Sequence, residues 1–340
     1  MKEAFLALVF ALLAAALFLP RIGLVARWRH ARRLAARFRR EDALKFILKT
    51  EANRQTPTIE AVAGSLQMKP SAAAELLKDM EAHGLVSYDE GRLRLQPGGR
   101  DIALHVVRAH RLWESYLADQ TGVAEKDWHH RAERQEHLLS REETEFLARR
   151  LGHPTRDPHG DAIPEAGGDL EGDAGRPLNV AEVHVPLRIV HIEDEPETIY
   201  SQILAQGLRP GMTATVLEKS PQRIRFWADG REHVLAPLLA NNLSVIPLTA
   251  DEASELYGEQ HLAELRPGQH GRVLGLSPAC RGAERRRLLD LGFVPGTEIE
   301  VDLVSPMGDP IAYRVRGAVV ALRREQAELI RMAAAEAIPA

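Results

Sequence analysis

One short phrase occurs twice in this chain. Residues 207–211 read GLRPG and residues 292–296 read GFVPG, 85 positions apart, and Ser220 with Pro221 recurs at the same offset as Ser305 with Pro306. LRIVHI (187–192) and RVLGLS (272–277) stand upstream of the two copies. A segment repeated at fixed spacing must fold as two like units. Short alternating runs, Pro-Gly turns and one helical stretch per copy predict two small β-barrels, over 178–249 and 260–335. Residues 165–177 (EAGGDLEGDAGRP), rich in glycine and acid, predict a flexible linker before them. The rest of the 340 residues has room for further modules of another kind. A hydrophobic fraction of 45% and a charged fraction of 27% fit folded domains. The single cysteine, Cys280, excludes an internal disulfide and any multi-cysteine zinc site, and fits a reducing compartment.

The net charge of -4 conceals an asymmetry at the N-terminus. Residues 4–19 (AFLALVFALLAAALFL) are uncharged and apolar, and residues 21–40 hold eight arginines and no acid. If Arg21 snorkels, the apolar run extends to residue 26, long enough to span a bilayer. A signal peptide would have its basic residues before the run, and a buried helix would not need them after it. The reading adopted is an uncleaved single-pass anchor in the cytoplasmic membrane over residues 4–26, with the bulk of the chain in the cytoplasm by the positive-inside rule. The arginines of segment 1–40 suit anionic lipid, with nucleic acid as the weaker alternative.

From Glu41 the pattern turns amphipathic, with Ala43, Leu44, Ile47 and Leu48 on one side of a helix. Residues 58–66, the turn QMKP and residues 71–83 read as helix, turn and helix, with Gly84 as the stop. Residues 85–96 (LVSYDEGRLRLQ) read as a hairpin about the DEG turn. Helix, turn, helix and hairpin over 41–98 predict a winged helix-turn-helix, with a small α+β core that contacts no nucleic acid as the alternative. A helical module over 99–164 follows. The fold class is therefore α+β multidomain: an N-terminal transmembrane helix, a winged helix-turn-helix, a helical metal-binding and dimerisation domain, and two SH3-like barrels.

Within that module WHHRAERQEH (128–137) has almost nothing apolar in it. His129, Glu133, Glu136 and His137 fall at i, i+4, i+7 and i+8, so on a helix all four share one stripe that can present ligands to an ion or stand as solvated, salt-bridged surface, two readings that spacing alone leaves open. Residues 100–119 form a preceding helix carrying His110 and Glu114 at i and i+4. A turn at Thr121 can bring that pair beside His129.

AHRLWESYL (109–117), HHRAERQEHLLS (129–140) and LGHPTRDPHGDAIP (151–164) resemble the DtxR/MntR family of metal-dependent repressors over residues 41–164. The second repeat, with RRLLDLGFVPGTEIEV, SPMGDPIAYRVRG and VALRREQAELI, resembles FeoA-type domains. The first repeat is similar to the repressors' SH3-like domain. The resemblance implies a homodimer, a double-stranded DNA partner and two metal sites. His110, Glu114 and His129 match one site, to which Glu193, Asp194 or Glu195 would add an acidic ligand. Asp42 with Glu133, Glu136 and His137 matches the other. DPHGDAIP is expected to be a turn and not a ligand set. Iron sensors have a cysteine and a methionine where this chain has Glu133 and Asp42, while manganese sensors carry a further glutamate where it has Lys45. Carboxylate and imidazole donors without thiolate favour Mn(II) or Fe(II), with the two left open.

On DNA, the resemblance places Ser71, Ala72, Ala74 and Glu75 at the start of the recognition helix, with Lys78 later in it. Lys69 in the turn and Arg92 and Arg94 on the wing are expected phosphate contacts. The alanines offer methyl contacts at most and Glu75 is repelled by phosphate. Hence a second reading: a membrane-bound metal-sensing adaptor of a metal transporter, its helix-turn-helix kept as scaffold. No separate nucleophile or base motif supports a metallohydrolase, so the chain is not expected to be an enzyme.

Overall fold

A computed structural model describes residues 24–89, 92–170, 175–229, 231–249, 252, 259–277 and 279–333. The apolar run read as an anchor lies outside them up to residue 23. Among the described residues no helix is long and apolar enough to cross a membrane. The protein is α+β and forms two compact units. One comprises the described residues up to Ala109 with Glu136–Arg141 and Pro164–Gly172; the other is His110–Gln135, Glu142–Ile163 and the described residues from 175 onward.

In the first unit, α1 (Leu24–Ala52) is one continuous helix. The expected break between a basic segment ending at residue 40 and a helix starting at Glu41 does not exist. No glycine or proline interrupts residues 24–52, and alanine, leucine and arginine favour helix throughout. Only its second half is apolar on one side: Ala43, Leu44, Ile47 and Leu48 are buried against Val62, Ala73, Leu77, Met80, Val86 and Leu93. Helix α2 (Ile59–Ser65) is capped by Thr58, whose side chain accepts from the Ala61 amide at 3.1 Å. Helix α3 (Pro70–Ala82) starts on proline, where a missing amide costs nothing, and stops at Gly84 with φ +69. Strands β1 (Val86–Asp89) and β2 (Arg92–Leu95) pair antiparallel from Val86 opposite Leu95. Helix, turn, helix and two-stranded wing follow one another as the sequence predicts.

Helix α4 (Pro97–Gln120) starts three residues earlier than expected, with Pro97 in its first turn. At Gly99 a Cβ would stand 2.0 Å from the Leu85 carbonyl oxygen, so only glycine lets this helix start against the wing.

The second unit contains α5 (Trp128–Glu136), most of α6 (Arg141–Arg150) and both repeats. Trp128 packs with Leu117 and Ala118, and its Nε1 donates to the Val123 carbonyl at 3.0 Å, which sets the pitch of α5 against the end of α4. Each repeat is a six-stranded antiparallel sheet. The first comprises β3 (Arg176–Pro177), β4 (Pro186–Ile192), α7 (Glu197–Ala205), β5 (Thr213–Lys219), β6 (Ile224–Ala228), β7 (Arg231–Leu235), α8 (Pro237–Ala240) and β8 (Leu243–Pro247). The second comprises β9 (Glu259–His261), β10 (His270–Leu276), α9 (Gly282–Asp290), β11 (Glu298–Val304), β12 (Ile311–Val315), β13 (Ala318–Leu322), α10 (Arg324–Ala327) and β14 (Ile330–Ala333). Their strand orders, β3-β8-β4-β5-β6-β7 and β9-β14-β10-β11-β12-β13, are identical in topology. Bulges fall at equivalent places, in β4 and β10 and again in β5 and β11. The expected linker is shorter at its far end: Arg176 and Pro177 already pair with β8. Residues 171–174 of it lie outside the described residues.

Candidate metal centres

The first centre lies within the second unit. His110 and Glu114 are one turn apart on α4, and His110 Nε2 stands 3.1 Å from Glu114 Oε1. His129, at the start of α5, presents Nδ1 to Glu114 Oε1 at 3.4 Å and to Asp194 Oδ2 at 2.6 Å. The ligand-type atoms of His110, Glu114 and His129 all lie within 4.8 Å of one another. Among the three acidic residues after β4, Asp194 is the one nearest His129; Glu195 approaches Nε2 at 3.5 Å, and Glu193 bonds Asn242 through its backbone amide.

The turn after α6 also enters this centre, which corrects the expectation that DPHGDAIP is only a turn. Asp157 Oδ1 accepts from the amides of His159 at 2.8 Å and Asp161 at 3.0 Å, which closes the turn. The His159 carbonyl then accepts from the Ile192 amide, fastening the turn to β4. At Gly160, with φ +97, a Cβ would stand 1.9 Å from the Val190 carbonyl oxygen. That close approach delivers the His159 ring to Glu114, with Nδ1 3.5 Å from Oε2 and 3.8 Å from Asp194 Oδ2. Glu114, Asp157 and His159 are all buried and form a second ligand-type group sharing Glu114.

Burial alone would raise the Glu114 carboxyl, but the charges of His110 and His159, the hydrogen bond from His110 and the nearby His129 ring outweigh it and hold it well below the usual range. Asp194 is lowered in the same way by His129 and His159 against its burial. Burial pulls His159 down, yet Glu114 and Asp194 push it up to about 10. His129 is likewise raised, by Asp194 and Glu114 against burial. Asp157 is raised well above its ordinary value by burial and by Asp161. Hydrogen bonding leaves the cluster incomplete. Nδ1 of His129, both ring nitrogens of His159 and Oδ2 of Asp157 are buried without a hydrogen-bond partner, the 2.6 Å approach of Asp194 to His129 being out of line for one. Buried polar atoms that converge without bonding one another are what a cation would satisfy. A divalent ion therefore fits this donor set.

The second centre lies within the first unit. His137 Nε2 is 3.0 Å from Asp42 Oδ1 and 3.6 Å from Glu136 Oε1, and these three residues form another ligand-type group. Helix α5 ends at Glu136, so His137 sits in the turn beyond it. The helical rise of about 1.5 Å per residue also sets Glu136 and His137 about 10–12 Å along from His129, so the four residues of the stripe fall into separate ligand-type groups. Glu133 projects along α5 to His129, with Oε1 3.5 Å from Nε2, and groups with His129 and Glu195; its assignment beside Asp42 is corrected accordingly.

Glu41 and Lys45, neither of them expected as a ligand from the sequence, complete the surroundings. Glu41 Oε2 meets His137 Nδ1 at 2.7 Å, Arg37 Nε holds Glu41 Oε1 at 2.6 Å, and Phe38 stacks on the His137 ring at 4.5 Å. Lys45 Nζ lies 2.7 Å and 3.0 Å from the two oxygens of Glu136. Burial lowers His137, but Asp42, Glu41 and the charge of Glu136 push it up to about 9.

On the winged helix-turn-helix, Ser71, Glu75 and Lys78 are exposed and Ala72 and Ala74 partly so, while Ala73 belongs to the core. Only two of the three alanines therefore face outward. Lys69, Arg92 and Arg94 are exposed.

The domain described as the iron dependent repressor metal binding and dimerisation domain matches residues 96–165, and the FeoA domain matches residues 260–333. The iron-dependent repressor IdeR of Mycobacterium leprae is 28% identical over 211 residues, covering 58% of this chain and 91% of that protein. A solved structure of a manganese-dependent transcriptional repressor in complex with manganese is 28% identical with a TM-score of 0.56, covering 62% of this chain and 100% of that one. Its similarity to metal-dependent repressors thus runs over more than half of the chain. A third relative differs in kind: a probable metal transport system membrane protein of Chlamydia trachomatis is 44% identical over 82 residues, 24% of this chain and 18% of that protein.

Glu41, Asp157 and His159 are the residues that sequence reasoning did not name as ligands. Two of them lie in the DPHGD segment, where an imidazole between two carboxylates was a signal for a ligand-type turn. Glu41 gave none, because an acid beside Asp42 reads as a solvated helix face.

Proposed function

We propose that the chain is a metal-dependent transcriptional repressor of metal homeostasis, answering Mn(II) or Fe(II) and binding double-stranded DNA as a homodimer. The observation that carries this reading is the convergence of Asp42, on the helix that underlies the winged helix-turn-helix, with Glu136 and His137 at the end of α5. A divalent ion, when bound, supplies one positive centre for carboxylates that otherwise compete for His137. Asp42, Glu136 and His137 would hold it. His110, Glu114, His129, Asp194 and the DPHG side chains would hold another, with Glu133 and Glu195 at the edge. The donors are oxygen and imidazole, as harder divalent ions prefer. Fixing α1 against the turn after α5 orients α3, and in a two-fold dimer this sets the spacing of the two recognition helices. Passing from mostly off to mostly on takes roughly 5.5 kcal/mol of preferential binding to the competent arrangement.

The membrane anchor belongs to the same proposal. Residues 4–26 would span the cytoplasmic membrane once, with α1 emerging as a basic helix on the cytoplasmic side. Among its described residues Arg27, Arg29, Arg32 and Arg33 face solvent, with Arg32 over the exposed Trp28 ring at 4.2 Å. Fractionation with an antibody to the C-terminal repeat tests this.

A second reading is favoured by the chlamydial relative and by the alanine-rich start of α3: a membrane-bound sensor that contacts a metal transporter and leaves DNA alone. A mobility-shift assay with the full-length chain, with and without Mn(II), on its own promoter and on metal-transport promoters separates the two. A metal-dependent shift supports the repressor, and its absence the adaptor. Hydrolysis has no support, the named relatives being repressors and a transport protein.

A further inference from the structure

We infer that Lys45 is an internal cation that competes with a divalent ion for Glu136 and so sets the metal concentration to which the second centre responds. The inference rests on the proposed metal dependence and goes beyond it. Residues Arg37, Glu41 and Lys45 lie at i, i+4 and i+8 of α1 and Phe38 and Asp42 at i+1 and i+5, so one stripe of that helix faces Glu136 and His137. Within the stripe the Lys45 ammonium is 2.7 Å from one Glu136 oxygen and 3.0 Å from the other, so a single charge serves both. The pair is enclosed, the Glu136 side chain being 2% exposed and that of Lys45 14%.

Enclosure decides the effect. On the surface such a pair is screened and worth little, but in an enclosed pocket each charge is screened far less. For Glu136 to become a ligand, an oxygen has to leave Lys45, or the ion has to sit beside a fixed positive charge. Both weaken uptake. The same pairing has a second consequence: Lys45 neutralises Glu136 and thereby spares the unit a buried unpaired carboxylate. The residue thus trades metal affinity for a unit that is held together at low metal.

Calorimetric Mn(II) titration of the full-length chain tests this with two substitutions of opposite sense. Lys45→Met keeps the aliphatic stem and removes the charge; it should tighten uptake at this centre about tenfold or more. Lys45→Arg keeps the charge and adds a bidentate fork to Glu136; it should weaken uptake several-fold. In a Glu136→Gln background the Met substitution should lose its effect, because the group competed for is gone. Shifts of opposite sign that vanish in that background support the inference. Equal affinity in wild type and both variants, tightening by Arg, or a Met effect that persists without Glu136 would overturn it while leaving the metal-sensor reading in place. No uptake by wild type or by either variant overturns both readings. Should Lys45→Met fold poorly, the Arg variant alone decides by the sign of its shift.

Discussion

Asp194, in the loop after β4, places Oδ2 2.6 Å from Nδ1 of His129 at the start of α5. The approach joins the first repeat to the helical segment at a point where Glu114 and His159 also converge. The first repeat therefore contributes a side chain to the candidate metal centre. Asp194→Asn should weaken one class of Mn(II) site about 10–100-fold and leave the class that uses Asp42 unchanged. Calorimetric titration resolves the two, and equal weakening of both would contradict this placement.

Protons compete with the ion at both centres. His137 is pushed up to about 9 and His159 to about 10, so each is protonated at neutral pH and must release a proton to ligate. The carboxylates thus move the competition above the pH of about 6 expected for an ordinary histidine. Mn(II) affinity should rise between pH 7 and 9 by about tenfold per pH unit for each proton released, read by titration in buffers of different ionisation enthalpy. Without metal the sign reverses. A histidine whose folded value exceeds its ordinary 6.5 contributes stability that is full below that value and lost as pH climbs through 9, so the chelated protein should melt lower at pH 9.5 than at pH 7. A pH-independent affinity would refute the argument.

Gly160→Ala puts a methyl where the Val190 carbonyl stands, at a φ of +97. Thermal melting should show a loss of about 2–4 kcal/mol, accompanied by weaker metal uptake at the centre that contains His159. A variant with normal stability and uptake would mean that the turn is not clamped to β4.

The exposed cations of the DNA-binding module make a separate forecast. Replacing Lys69 or Arg94 by alanine should weaken DNA binding about equally on all sequences and reduce the salt slope by about 1 for each phosphate that is no longer neutralised. Anisotropy at several salt concentrations measures it, and an unchanged slope argues for the adaptor.

Periodicity made the helices legible, and the 85-residue repeat made two like β units legible, though not the bulges that fall at matching places in their sheets. What periodicity cannot show is where a helix ends in space. Glu136 and His137 stand about two turns along from His129, beside Asp42, while Glu133 is one turn away and reaches His129. Of the side chains delivered by loops, Asp194 was one of three acids that the resemblance offered, while His159 was hidden. His159 and Asp194 meet only because the DPHG turn is bonded to β4, a tertiary interaction that no local pattern encodes. The α1 boundary is misplaced by sequence for the opposite reason: charge changes at residue 41 while helix propensity runs through it.

The central claim is that an ion held by Asp42, Glu136 and His137 turns DNA binding on. Fluorescence anisotropy of labelled promoter DNA, titrated with the full-length chain with and without Mn(II), tests it most directly when wild type is run beside Asp42→Ala. The account predicts at least a tenfold gain in affinity on adding Mn(II) to wild type and none for the variant. A variant that keeps the full Mn(II) response would contradict it.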